Sequence, residues 1–259
     1  REKRGGQGRG QRAVVALTKG MVRYDNVLKA LELITKALPE LGDKIGMSQW
    51  ITVVPDFSKP SGLPNATTHV DAVRAVLDFT TQYTNKRITI AAGLLDGSNA
   101  QKAFHNAQFH ELHEQYSLRF VDLNRESAVT FKTGRFTFKM PRTLADSNFI
   151  ASVAAPVVWQ GHLHGSLTSF AVSAHAQGTA YFGQAALEAL IAKVKPSLSV
   201  IDGSGNFAVA SADCVAADAV AARLLKANKN AASYLTDLSS AGLGTAELSK
   251  ISVVGEQLR

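Results

Sequence analysis

The most regular pattern in the chain lies in residues 197–227, which read SLSVIDGSGNFAVASADCVAADAVAARLLKA. Two short apolar runs, 198–201 and 207–211, flank a turn rich in glycine, and this arrangement predicts two neighbouring strands. Small apolar residues then recur at helical spacing, which predicts a helix over residues 215–227. An aspartate stands at each of three junctions of this pattern: Asp202, Asp213 and Asp218.

Strands and helices alternate along the rest of the chain. Strand-like apolar runs lie near residues 13–18, 50–54, 87–93, 118–123, 149–154 and 251–254, and helical patterns fill most of the intervals. This alternation favours an α/β protein with largely parallel or mixed sheets flanked by helices. In residues 127–140, apolar and polar residues alternate on both sides of a turn at Gly134, which predicts a β-hairpin. We expect two lobes, 13–147 ending in this hairpin and 148–259.

Composition is that of an ordinary globular protein, with 46% apolar and 19% charged residues in a chain of 259. The longest nearly uncharged apolar stretch, 149–159, is well short of the roughly 20 residues that cross a bilayer. We therefore expect no membrane span and a soluble, cytoplasmic protein. The single cysteine, Cys214, excludes an intrachain disulfide framework and an iron–sulfur cluster held by four thiolates of this chain alone. Cys214 is either a small buried residue or a thiol whose pKa a helix N-terminus lowers.

Residues 1–12, REKRGGQGRGQR, hold five of the basic residues against one glutamate. A segment rich in glycine and arginine, without apolar residues, predicts a flexible basic tail. Two interpretations stay open. The tail is a solvated extension or processing remnant, or it is an arm that contacts nucleic acid or an acidic partner through phosphate-like charges.

The order of elements after residue 193, with its three aspartates, resembles the C-terminal part of the domain-of-unknown-function family 362. The resemblance extends more loosely over residues 13–258 and implies an α/β fold with polar residues at strand ends, but no established reaction. Some members of this family carry an iron–sulfur module. The family's lysines are replaced here, by Val54 at one position, and its glycine-rich loop is shortened to 203–206. The chain therefore resembles a divergent member without that module.

Ligands of parallel α/β proteins gather at the carboxyl ends of strands. The first such group follows the second and third predicted strands, and we predict that it binds the ligand: Asp56, Thr67, Thr68, His69 and Asp96. Thr67, Thr68 and His69 match the family's pattern at a helix start. Thr68 has an alternative role as a helix cap, because Asp71 follows at capping-box spacing.

The second group lies in the second lobe. His162 and His164 point the same way on an extended chain, and with His175 they could form a three-nitrogen site for a divalent metal. Ordinary polar loop residues are the alternative. We predict His162, His164, Asp202 and Asp213 as catalytic residues. His105, His110 and His113 are interpreted as parts of an amphipathic surface helix.

Two hypotheses for function follow. The first is an enzyme that uses metal-assisted or acid–base chemistry on a small anionic substrate, in a cleft between the lobes that both groups of residues line. The second is a binding or scaffold protein that keeps the fold without the chemistry, with the basic tail adding contact with nucleic acid or an acidic partner. Asp213 has an alternative role as a helix cap, and Asp218 is either exposed or paired.

Overall fold

A computed structural model describes residues 12–57, 67–94, 96–134, 136–174 and 184–258. The strands are β1 (Ala13–Lys19), β2 (Ile51–Pro55), β3 (Ile88–Ala92), β4 (Leu118–Asp122), β5 (Ala128–Thr133), β6 (Phe136–Pro141), β7 (Phe149–Ala154), β8 (Val157–Trp159), β9 (His162–His164), β10 (Leu198–Asp202), β11 (Phe207–Ser211) and β12 (Ile251–Gly255). The helices are α1 (Arg23–Ala37), α2 (Glu40–Met47), α3 (Val70–Thr81), α4 (Ala100–Asn106), α5 (Arg142–Asp146), α6 (Ser166–Ala174), α7 (Gln184–Lys193), α8 (Cys214–Leu224) and α9 (Ser233–Ser240), with 3-10 helices at Phe109–Glu114 and Leu248–Lys250.

Within the described residues, eight strands form one sheet in the order β12-β1-β11-β10-β7-β2-β3-β4. Every neighbouring pair is parallel except the two that contain β11. The predicted α/β class is confirmed. Strands from residues 13–147 and 148–259 interleave, because β7 pairs with β2 and β1 lies between β11 and β12. The two predicted lobes share this sheet, and their boundary stays a prediction.

The sheet separates two apolar cores. We call the side covered by α1–α4 the front face and the side covered by α5–α9 and the β5–β6 hairpin the back face. Alternate side chains of a strand point to opposite sides, so in β10 Val200 packs in the front core and Ile201 in the back core. This alternation fixes the face to which each polar residue at a strand end points.

The structure differs from the sequence prediction mainly in short helices. The surface helix predicted to carry the three histidines is broken, because Gln108 adopts a left-handed conformation (φ 62°) between α4 and the 3-10 helix Phe109–Glu114. The sequence does not predict α6, since its residues SLTSFAVSA carry no separate polar stripe. The predicted hairpin is confirmed as β5–β6. No helix in the described ranges is long and apolar enough to cross a membrane.

Candidate functional site at the carboxyl edge of the sheet

A crevice is expected where β2 and β7 end side by side. The chain leaves β2 through α3 on the front face and reaches β3, whereas it leaves β7 through α6 and α7 on the back face and reaches β10. Because these connections diverge, the carboxyl ends of the two strands form a topological switch point. Ligands of open α/β sheets bind at such points. The carboxyl edge formed by β2, β7 and β10 is therefore the candidate site.

Asp56 and Thr68 join the two sides of this switch point. Asp56 directly follows β2 and is 2% exposed, and its Oδ2 accepts a hydrogen bond from Ser169 Oγ of α6 at 2.8 Å. Thr68 Oγ1 donates to the carbonyl of Val153 in β7 at 2.5 Å and accepts from the Asp56 N–H at 2.7 Å. Both side chains therefore hold the loop after β2 against β7 and α6.

The helix α3 begins with a different cap from the one predicted. His69 is its N-cap, and His69 Nδ1 accepts a hydrogen bond from the Asp71 N–H at 3.2 Å. Thr68 does not cap the helix, because its hydroxyl is engaged with β7. Thr67 is exposed just before it. The predicted group Thr67, Thr68 and His69 is therefore at the carboxyl edge, with His69 as its partly exposed titratable member.

Asp202 is a buried carboxylate at the end of β10, and it points to the front face. Its Oδ2 accepts from Arg23 Nε at 2.5 Å, and its Oδ1 accepts from the Gly205 N–H at 3.0 Å. Burial raises the pKa of the Asp202 carboxyl, while the Gly205 N–H, the Arg23 guanidinium and the nearby His69 oppose the rise. The site therefore combines a desolvated carboxyl with neighbouring groups that favour its ionised form.

The turn after β10 supplies the backbone donor to Asp202. Ser204 (φ 56°) and Gly205 (φ 82°) both adopt left-handed conformations, which bring the chain directly back into β11. Asn26 of α1 donates to the Gly205 carbonyl at 2.9 Å and so ties the turn to the front face. This short turn thus forms one wall of the candidate site.

Two nitrogen-bearing side chains, the guanidinium of Arg23 and the imidazole of His69, lie near Asp202. Arg23 is the first residue of α1, and His69 precedes α3, so both lie at amino ends of helices, where the helix dipole favours anions. Their side chains are 18% and 47% exposed, respectively. Among the described residues, Arg23 donates a hydrogen bond only through Nε. Its two Nη atoms are therefore available to an anion at this edge.

His162 and His164 lie on β9, which pairs with β8 in a short antiparallel hairpin. They flank Leu163, which is buried in the back core and donates its N–H to the Ala231 carbonyl at 2.8 Å. The two histidines alternate with Leu163 and so point away from that core, whereas Asp202 points to the front face. No contact of either histidine with Asp202 is found among the described residues, so the shared cleft stays a prediction. His175 lies outside the described residues, and the described residues contain no group of three or more metal-binding side chains.

Asp213 lies at the opposite edge of the sheet from Asp202. The antiparallel direction of β11 carries the chain back to the amino edge before α8 begins. Asp213 is the N-cap of α8, where it accepts from the N–H groups of Ala216 and Thr245, each at 3.0 Å. Its predicted place in a pocket with Asp202 is wrong, because that prediction assumed that both strand ends face the same edge.

Asp96 lies after β3, at the carboxyl edge but in an exposed turn. Its Oδ1 accepts from the Ser98 N–H at 2.9 Å, and hydrogen bonds with Ser98 lower the pKa of the Asp96 carboxyl. Asp96 therefore has a structural role in this turn. No contact between Asp96 and Asp202 is found among the described residues, so its role in ligand binding stays a prediction.

Asp218 and Cys214 are buried residues of α8 on the back face. Asp218 is 0% exposed and accepts hydrogen bonds from the N–H groups of Ser166 and Leu167 and from the Tyr234 hydroxyl. It therefore caps the amino end of α6 from a neighbouring helix. Cys214 is 4% exposed, and burial raises the pKa of its thiol to about 12. Of the alternatives left open for Cys214, the small buried residue is the one observed.

Sequence reasoning missed Arg23 and Ser169. Arg23 lies 179 positions before Asp202, and Ser169 lies 113 positions after Asp56. Neither belongs to a recognisable motif, and only the arrangement of strands brings each to its carboxylate. The one available signal was the position of Arg23, at the first turn of the helix that follows β1.

Comparison with known proteins identifies the family. Residues 51–223 match the family described as Domain of unknown function (DUF362), and this match covers about two thirds of the chain. The matched region runs from β2 into α8 and includes Asp56, His69 and Asp202. No curated protein matches the chain. The protein belongs to the DUF362 family.

Proposed function

We propose that the protein is a divergent acid–base enzyme that binds a small anionic substrate at the carboxyl edge of the sheet. Asp202 is the proton-transferring group, His69 is the second acid–base group, and Arg23 holds the anion. The observation that carries the proposal is the environment of Asp202, which is buried at a strand end with a raised pKa and adjoins two partly exposed nitrogen-bearing side chains.

A raised pKa suits Asp202 to proton transfer. General acids and bases work best when their pKa lies near the working pH, and burial is the usual way to raise that of a carboxyl. Arg23 and His69 both lower the pKa of the Asp202 carboxyl. A ligand that binds either side chain reduces this lowering. Binding of an anion would therefore raise the pKa of Asp202 further, which couples substrate binding to protonation.

An anionic substrate is favoured by the groups that surround the edge. Arg23 presents a guanidinium whose Nη donors are available, and planar guanidinium groups bind carboxylates and phosphates through paired hydrogen bonds. The amino ends of α1 and α3 add positive potential in the same place. A divalent metal stays a prediction, because its third proposed ligand, His175, lies outside the described residues.

The alternative is a binding or scaffold protein without turnover. Its proposed contact with nucleic acid depends on residues 1–12, of which only Arg12 is described. This hypothesis also stays a prediction. The two hypotheses differ in one measurable respect. Replacement of Asp202 would abolish turnover in an enzyme, whereas in a binding protein it would change only the affinity for the ligand.

Thermal denaturation with malonate and inorganic phosphate tests the proposed anion site. A ligand at 100 times its Kd stabilises the folded state by about 2.7 kcal/mol, which for a chain of this size raises the melting temperature by roughly 5–10 °C. We expect this rise in the wild-type protein and its loss in Arg23→Gln and His69→Gln. Arg142→Gln, an exposed arginine on the back face, is the matched control and should behave as wild type.

The proposal fails if neither anion stabilises the protein more than sodium chloride of equal ionic strength. It also fails if Arg23→Gln keeps the full stabilisation. Arg23→Lys separates charge from geometry, since lysine keeps the positive charge but lacks the guanidinium fork. Partial stabilisation is expected there.

A further inference from the structure

A second basic site lies at the edge strand β4. A surface depression of about 470 Å³ is found there, lined by nitrogen-bearing side chains from three segments: Arg87, His105, His110, His113 and Arg119. None of its described lining residues is acidic. The depression lies along β4, the outermost strand, and three strands (β7, β2 and β3) separate β4 from β10, which carries Asp202. It is separate from the site of the proposed function.

The break after α4 builds this depression. Gln108 reverses the chain with its left-handed backbone and places the 3-10 helix Phe109–Glu114 beside the last turn of α4. The ring of His105 then stacks on that of His110, with 4.7 Å between centroids. A 3-10 helix has three residues per turn, so His110 and His113 lie on the same side. All three imidazoles therefore line the depression, and that of His113 packs against Phe120.

The two arginines have spare hydrogen-bonding capacity. Arg87 Nε donates to the Leu118 carbonyl at 3.0 Å, and Arg119 is exposed on β4. Neither arginine forms an ion pair with any described residue. Two unpaired guanidinium groups around one concavity repel each other in the absence of a counter-ion. An anion between them would relieve this repulsion.

We propose that this depression binds the phosphate group of a small phosphorylated molecule. Guanidinium and imidazole N–H groups are the side-chain donors that suit phosphate oxygens, and phosphate carries more charge near neutral pH than a carboxylate. The volume lies in the range of small-molecule sites and exceeds the needs of a lone phosphate. Phe120 is only partly buried, packs against the buried Phe104 with 5.1 Å between ring centroids, and offers an apolar surface of the depression to the organic part.

A metal ion fits the three histidines less well than an anion does. Within the described residues, no group of three or more His, Cys, Asp or Glu side chains is placed to hold a metal. The adjoining arginines would also repel a cation. The same side chains therefore favour phosphate on grounds of both geometry and charge.

Titration calorimetry with adenosine monophosphate and with pyrophosphate tests the site in the full chain. Both probes should bind saturably, and Arg119→Gln should weaken each by about tenfold, the loss expected for one charge-assisted hydrogen bond. Arg119→Gln/His113→Gln should weaken them further. Arg223→Gln replaces an exposed arginine on α8 and is the matched control, with no expected change.

Histidine ring signals in NMR spectra locate the bound probe. Those of His105, His110 and His113 should shift on addition of adenosine monophosphate, whereas that of His162 should not. Near-ultraviolet circular dichroism checks that the exposed substitutions keep the fold. Absence of saturable binding, equal affinity in Arg119→Gln, or shifts confined to His69 would overturn the proposal. Shifts at His69 alone would instead support the carboxyl-edge site, so the two proposals fail separately.

Discussion

Replacement of Asp218 by alanine is expected to lower the free energy of unfolding by about 3–5 kcal/mol. The carboxylate accepts from Ser166 N at 2.7 Å, Leu167 N at 3.1 Å and the Tyr234 hydroxyl at 2.8 Å, all in the buried back core. Alanine leaves these donors without an acceptor and opens a cavity. Chemical denaturation followed by circular dichroism measures the change, and the melting temperature should fall on the order of 10 °C.

A graded series isolates the carboxylate. Tyr234→Phe removes a single hydrogen bond and should cost about 1 kcal/mol. Asp218→Asn keeps one acceptor and should lie between Tyr234→Phe and Asp218→Ala. Asp146→Ala, which removes an exposed carboxylate whose nearest ion-pair contact is 3.9 Å, is the control, with an expected change near zero. If Asp218→Ala costs no more than Asp146→Ala, Asp218 does not cap α6.

The thiol of Cys214 should react with Ellman's reagent at least about a thousand times more slowly in the folded protein than when unfolded, because only the thiolate reacts. Burial raises its pKa from 9.0 to about 12, a difference of about three units. Its Sγ also donates to the Pro196 carbonyl at 3.1 Å. Absorbance during labelling at pH 8, with and without guanidinium chloride, measures both rates.

A cysteine moved to the surface provides the control for this rate. Cys214→Ser/Ser240→Cys places the one thiol on an exposed position of α9, where it should react at the rate of the unfolded chain. Equal rates for native Cys214 and this variant would contradict its burial. Equal rates would instead support the alternative interpretation, a reactive thiol whose pKa is lowered at the start of α8.

Much of the fold can be predicted from local patterns. Strands such as Leu198–Asp202 and Phe207–Ser211 are short apolar runs bounded by turn residues, so their positions follow from the sequence. The order of strands does not, since β1 enters the sheet between β11 and β12 from the far end of the chain. Helix α6 escapes prediction for a related reason. Seven of its nine residues are buried, and its apolar and hydroxyl-bearing side chains lie on all its faces, so the sequence shows no helical periodicity.

The sequence predicts the candidate site only in part, because strand direction decides which residues meet. Asp56, Thr68, His69 and Asp202 are expected at strand ends, and they are at the carboxyl edge. Asp213 follows β11, the antiparallel neighbour of β10, and this reversal moves it to the other edge. The spacing of His162 and His164 correctly indicates that they share a side of β9. It carries no information on which face of the sheet the hairpin covers.

The pKa of Asp202 tests the central claim most directly. That claim is that Asp202 is a buried acid–base group beside an anion-binding site formed by Arg23 and His69. Carbon-13 NMR of the side-chain carboxyls, with the Asp202 signal assigned by its loss in Asp202→Asn, gives this pKa. We expect a pKa above 3.8, and a further rise in His69→Gln because a positive charge is lost. A raised pKa in the folded state also means that the carboxyl's contribution to stability falls as pH rises from 3.8 through that pKa. A pKa at or below 3.8 that is unchanged in His69→Gln would contradict the proposed role of Asp202.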